Sequence, residues 1–192
     1  MTTADATADL RFRRPVEADH RAIVTVVDEW WGGRKMNHLL PRLWFQHFTG
    51  TSWLAETEAG RPMGFLVGFI SPDDPSTAYV HMIGTDPNRR RRGLGRELYR
   101  RFFDDVSGRG VVRVRAITWP GNRTSVGFHE SLGFRAVDGP GSQNLYGSRA
   151  YPDYDAPGDD RAAPPGGGRL QLTGRLVAGQ RLVAEQRPGG HR

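Results

Sequence analysis

The stretch Val80-His-Met-Ile-Gly-Thr-Asp-Pro-Asn-Arg-Arg-Arg-Arg-Gly-Leu-Gly-Arg-Glu-Leu98 decides the fold. Its first part, Ala78 to Thr85, reads as a strand, and Asp86-Pro87 closes it. From about Leu94 the apolar residues Leu94, Leu98, Phe102 and Val106 recur every four positions, with Tyr99 and Phe103 beside them, which is the stripe of an amphipathic helix. A strand therefore runs through an Arg/Gly loop into a helix. Glycines let that backbone turn tightly and approach a ligand closely. Amides at a helix start, together with the helix dipole, favour a phosphate group, and arginines add fixed charge and forked donors. These features predict an anion site, a pyrophosphate site in particular, between about Arg90 and Arg96. It is not a Walker loop, since no Gly-Lys-Ser/Thr is present. Gly93-Leu-Gly95 is followed by Arg96-Glu-Leu98, so the dinucleotide fingerprint is not met either.

Upstream, Leu10-Arg-Phe-Arg-Arg14 alternates and reads as a first strand closed by Pro15. Glu17 to Trp31 has helical spacing and stops at Gly32-Gly33. A second helix is expected over His38 to Phe48, with Pro41 in its first turn. Thr51 to Glu58 and Met63 to Ile70 form a hairpin, and Ser71 to Ser76 is a loop.

Downstream, Ser107-Gly-Arg-Gly110 ends the long helix and Val111 to Trp119 is a strand. A short helix through Ser125 to Leu132 stops at Gly133, with Phe134 opening a strand to Val137. The order is strand, two helices, three strands, helix, strand, helix, strand, which is a mixed α/β domain.

The 192 residues suit one domain with an appendage, and the 37% apolar and 10% aromatic content supplies a core. The absence of cysteine excludes disulfides, thiolate zinc sites and a cysteine nucleophile. His20, His38 and His47 have no carboxylate partner at metal spacing, so no metal is expected. No secretory signal is visible, and the longest apolar run, Gly64 to Ile70, is far short of the ~20 residues that cross a bilayer. A soluble cytoplasmic protein without a membrane partner is expected.

The net charge of +6 is uneven: Arg161 to Arg192 holds six arginines and one acid, leaving residues 1 to 160 with 21 basic and 20 acidic residues. A near-neutral body argues against nucleic acid as a partner despite the pI of 10.4. The chain divides into a flexible stretch over 1–9, a domain over 10–160 and a basic, Gly/Pro-rich tail over 161–192. The tail has no aromatic residue and Pro164-Pro-Gly-Gly-Gly168 cannot support a strand, so it is expected to be mostly disordered. Leu170 to Val177 is the alternative for a last strand.

Arg90-Arg-Arg-Gly93-Leu-Gly95 resembles the Arg/Gln-x-x-Gly-x-Gly/Ala loop of the GNAT superfamily of acyl-CoA-dependent N-acetyltransferases, with Pro87 at its usual distance. A second match lies about 30 residues on. Asn122-Arg-Thr-Ser125-Val-Gly-Phe128-His129-Glu130-Ser131-Leu132-Gly133-Phe134 is similar to that family's Asn-x-x-Ala-x-x-Phe-Tyr-x-x-x-Gly-Phe pattern. The resemblance covers residues 10 to 150 in element order. It implies a central mixed, mostly antiparallel sheet flanked by about four helices, and transfer of an acetyl group from acetyl-CoA to an amine by direct attack on the thioester.

The resemblance also assigns residues. Ile83, Gly84 and Thr85 would pair with pantetheine as an added strand. The loop Arg90, Arg91, Arg92, Gly93, Leu94, Gly95 and Arg96 would hold the pyrophosphate, and Asn122 would bond the pantetheine arm. Asn122 equally suits a helix N-cap. His129 stands where the family has a Tyr that protonates the leaving thiolate; imidazolium can give a proton, and a buried structural histidine is the alternative. His81 lies where many members place a general base. Asp28, Glu29, Trp30 and Trp31 end the first helix, where the family builds its acceptor pocket, and carboxylates and indole faces suit a cation. Packing of both tryptophans in the core is the alternative.

The acceptor is a small-molecule or peptide amine that the sequence does not identify. Two other classes compete: an acyl-CoA-binding fold without catalysis, and an arginine-rich nucleic-acid binder. Dimers are common in such families, so a homodimer is among the expected arrangements.

Overall fold

The computed structural model describes residues 7, 9–152, 154, 169–177 and 181–183. The expectation of disorder over 161–168, 178–180 and 184–192 lies outside these residues, as does that of flexibility over 1–6 and 8. The chain forms two compact units, Met1–Gly110 and Val111–Arg192.

In the first unit β1 (Arg11–Arg13) is followed by α1 (Asp19–Trp30) and α2 (Leu43–His47). Then come β2 (Trp53–Glu56), β3 (Pro62–Ile70), β4 (Thr77–Thr85) and α3 (Leu94–Ser107). The strands pair antiparallel in the order β1-β2-β3-β4. Side chains of β3 alternate between two faces. Phe65 and Val67 join a core with Ile23, Val27 and Trp30 of α1, and with Leu40, Phe45, Leu54 and Met82.

Gly64 and Gly68 point the other way and make room for α3. A Cβ at Gly64 would lie 3.1 Å from Leu94 Cδ2, and one at Gly68 only 2.7 Å from Phe102 Cε2. The four-residue spacing of the glycines thus receives the long helix at the stripe seen in the sequence. Leu98, Tyr99, Phe102 and Val106 are completely buried, each contributing about 1.5–3 kcal/mol.

Ion pairs hold the layers. Buried Glu56 accepts from Arg11 and Arg13, and Arg13 also donates to Asp19 at the start of α1. The helix expected over His38 to Phe48 is broken: a 3₁₀ turn covers Asn37–Leu39 and α2 begins at Leu43. Pro41 is the cause, because the residue before a proline is pushed out of the α region, and Leu40 has φ −117° and ψ 60°.

The second unit contains β5 (Arg113–Thr118), α4 (Arg123–Ser131), β6 (Arg135–Ala136), β7 (Gln143–Leu145), β8 (Ser148–Ala150), β9 (Leu170–Val177) and β10 (Arg181–Val183). Strand β9 organises it. One edge pairs with β5 from Arg113↔Arg175 to Thr118↔Leu170, and the other with β10 and β6. The part of the tail at Leu170–Val177 is therefore a strand, not disordered chain; the long ladder to β5 and the buried side chains of Leu170 and Leu172 supply what composition did not reveal. β7 and β8 form a separate hairpin. Four α-helices accompany the strands among the described residues, the α/β class and helix number expected from the sequence.

Candidate active site

The loop between β4 and α3 is shaped by its own residues. Asp86, buried, accepts from the Asn88 amide at 2.8 Å and from Arg61 at 3.0 Å, fixing the 3₁₀ turn Pro87–Arg89. Arg91 (φ 60°) and Gly93 (φ 84°) then adopt left-handed backbone, and α3 starts. The helix's first ladder bond runs from the Glu97 amide to the Gly93 carbonyl, so the amides of Leu94 and Gly95 precede the ladder. Gly93, at the N-cap, has no side-chain oxygen to offer them. Turned backbone, a helix N-terminus without a side-chain cap and the exposed Arg91 and Arg92 form an arrangement that can receive an anion.

The arginine run is divided in its duties. Arg89 grips Asp9 with two bonds of 3.1 and 2.6 Å. Arg90 donates Nη2 to the carbonyl of Trp30. Arg91 and Arg92 carry the charge that a phosphate would meet.

The end of α1 is brought to this loop by that bond. Half-buried Trp31 lies over Gly84, where a Cβ would come within 2.7 Å of its ring. Trp30 is only 4% exposed and stacks on Phe65, so it belongs to the core and not to a pocket wall. Asp28 accepts from the amides of Met36 (2.7 Å) and Asn37 (2.9 Å) and pairs with Lys35; the Met36 amide above all, then that of Asn37 and the Lys35 ammonium, hold its carboxyl below the usual range. Asp28 ties down the loop after α1. Glu29 is exposed, leaving Glu29 and Trp31 as the pair with surface to offer.

His81 occupies a β-bulge. Val67 pairs with Met82 and Gly68 with Val80, so His81 has no partner in the β3 register. Bulges re-aim side chains beside active sites. Here the bulge turns His81 toward the α1/α2 side, where Nε2 donates to the Leu39 carbonyl at 2.6 Å and the ring stacks on Trp44. A carbonyl only accepts, so Nε2 carries the proton and Nδ1 holds the lone pair of the neutral ring. Burial pushes the imidazole below its ordinary value, so the ring is neutral at pH 7.

In the second unit Asn122 caps α4, its Oδ1 accepting from the Ser125 amide at 3.1 Å. That commits the oxygen and leaves the side-chain NH2 as the donor for a ligand. His129 is 4% exposed, between Phe128 and Phe134, and its Nδ1 donates to the Ser125 carbonyl at 2.7 Å. Burial pushes its pKa down. The ring is thus held against its own helix and between two phenyl rings.

Sequence reasoning did not find Asp9, Trp44 or the Leu39 carbonyl. Their partners are 80, 37 and 42 residues away, and no local pattern marks such pairs. Among the described residues no group of three or more His, Asp and Glu could hold a metal, and no helix is long and apolar enough to cross a membrane.

Residues 17–134 match the Acetyltransferase (GNAT) family. L-2,4-diaminobutyric acid acetyltransferase of Nocardia farcinica is 32% identical over 117 residues, spanning 61% of this chain and 60% of that protein. The protein of that name from Streptomyces coelicolor is 29% identical over 154 residues, spanning 80% and 89%. Diaminobutyrate acetyltransferase EctA from Paenibacillus lautus, solved with L-2,4-diaminobutyric acid and coenzyme A, has the same fold: TM-score 0.62, 20% identity, 88% of this chain and 96% of that one. The chain belongs to the GNAT acetyltransferase family and is an acetyl-CoA-dependent N-acetyltransferase.

Proposed function

We propose that the acceptor is a short diamino acid of the L-2,4-diaminobutyrate kind and that His81 takes the proton its amine must lose. The acceptor reading is supported by the relatives, two of which carry that substrate in their names. The base is supported by one geometric observation: the bulge presents a neutral imidazole whose tautomer is set by Leu39.

The α3 N-terminus fits a phosphate-bearing cosubstrate, because amides ahead of the helix ladder and two left-handed residues converge beside exposed arginines. Arg91 and Arg92 and the amides of Gly93 to Gly95 would hold the diphosphate, with Ile83 to Thr85 along the pantetheine. Bound acetyl-CoA supplies a thioester carbonyl that a neutral amine attacks, the N–C bond forming as the C–S bond breaks.

An ammonium is not a nucleophile, so the acceptor must be deprotonated, directly or through one water, and Nδ1 of His81 is the group to do it. Glu29 and the Trp31 face suit the acceptor's second, cationic amine. His129 is assigned to packing.

Calorimetry tests the acceptor. With desulfo-CoA present, L-2,4-diaminobutyrate should bind saturably and the monoamine 2-aminobutyrate at least about tenfold more weakly. Equal binding of the two, or none by the diamine, would defeat the reading.

A further inference from the structure

We infer that Arg90, in the middle of the loop that meets the cosubstrate, is a positioning residue for the acceptor side of the reaction. The inference rests on the acceptor reading above. Its ground is the bond from the Arg90 guanidinium to the carbonyl of Trp30, the last residue of α1.

The end of a helix carries partial negative charge on its last carbonyls, which a cation stabilises. The last turn of α1 contains no basic residue of its own. The amides of Gly32 and Gly33 close back on the Glu29 and Asp28 carbonyls, and Arg90 reaches across 60 positions of sequence to take the Trp30 carbonyl. It therefore supplies both the cap and the charge that α1 lacks.

The loop is anchored on either side of that bond. Arg89 is clamped by Asp9, and the turn before it is fixed by Asp86. Trp31, one residue past the capped carbonyl, rests on Gly84 of β4. Glu29 and Trp31, the two acceptor-side residues with exposed surface, hence flank a carbonyl whose place is set by Arg90. Arg91 and Arg92 are left to the phosphates. A change at position 90 should alter how the acceptor is held, whereas a change at position 92 should alter how the cosubstrate is held.

The experiment compares R90A, R90K and R92A in the full chain. Calorimetry with desulfo-CoA should give R90A an affinity within about threefold of the parent, and R92A one weaker by about tenfold. Initial rates with L-2,4-diaminobutyrate should show the acceptor KM raised about tenfold or more in R90A, with R90K recovering part of the loss because an ammonium still donates to a carbonyl. Desulfo-CoA affinity falling in R90A as far as in R92A, or an unchanged acceptor KM, would overturn the inference. If R90A does not fold, R90K and R90Q carry the same comparison. If the parent does not turn over L-2,4-diaminobutyrate, the acceptor reading fails by itself, and the KM comparison of R90A and R92A is made with whichever amine the parent does acetylate.

Discussion

His81 lies face to face with Trp44, ring centroids 4.2 Å apart and planes 16° from parallel. The indole fixes the plane of the imidazole and the Leu39 carbonyl fixes its tautomer, so two residues outside β4 orient a side chain that the β4 bulge has turned out of register.

His81→Gln should lower kcat by about 10²–10⁴-fold if the ring is the base. The sign of the pH dependence follows from burial. The pKa lies below the ordinary 6.5, so the ring is a competent base above it and is lost to protonation as pH falls through it. In the parent kcat/KM should drop on that acidic limb; in His81→Gln the inflection should disappear. An intact limb would assign the base elsewhere.

Gly84→Ala tests the contact between the strand and the end of α1. The new methyl would meet Trp31 Cη2 at 2.7 Å and Phe65 Cε1 at 2.8 Å. Overpacking of this kind costs about 1–3 kcal/mol. Urea denaturation should show that loss, with a raised acceptor KM as Trp31 is displaced. A variant as stable as its parent would mean that Trp31 moves freely.

For His129 the linkage is explicit. The folded pKa is depressed, so the unfolded state binds more protons as pH falls below about 6.5. Stability from this residue is complete above that pH and is lost as pH falls toward the folded value. His129→Phe should flatten the decline of Tm between pH 7 and 5, with His81 still contributing in the same direction. Turnover should stay within about threefold. A drop of a hundredfold, at unchanged acetyl-CoA affinity, would return the thiolate's proton to His129.

Much of the first unit was legible because its signals are local. The Leu94, Leu98, Phe102, Val106 stripe gave α3, and the glycines before it gave the turn that opens the helix at Gly93. Three features were not. A bulge such as that at His81 inserts one residue without changing the character of the strand. Pro41 is compatible with a helix's first turn, and only the loop around Leu40 showed that it precedes the helix instead. The pairing of Arg90 with Trp30 joins residues whose nearness is a product of the fold.

The tail is the clearest case. Gly174 breaks the alternation begun by Leu170 and Leu172, yet it is buried opposite Val114, where the ladder to β5 holds a glycine in a strand. Ending the chain at residue 160 removes β9, and with it the ladders to β5, β6 and β10. Such a truncation should unfold or precipitate that unit, while proteolysis of the intact chain should spare Leu170 to Val177. A truncated protein with the parent's Tm would place residues 161–192 outside the fold.

Transfer of an acetyl group to a diamino acid is read out by steady-state thiol release with acetyl-CoA and L-2,4-diaminobutyrate. Saturable release, a singly acetylated product by mass spectrometry, and kcat/KM at least about tenfold above that for 2-aminobutyrate or a peptide N-terminus are expected. Release no faster than spontaneous hydrolysis, or equal rates for all three amines, would contradict it.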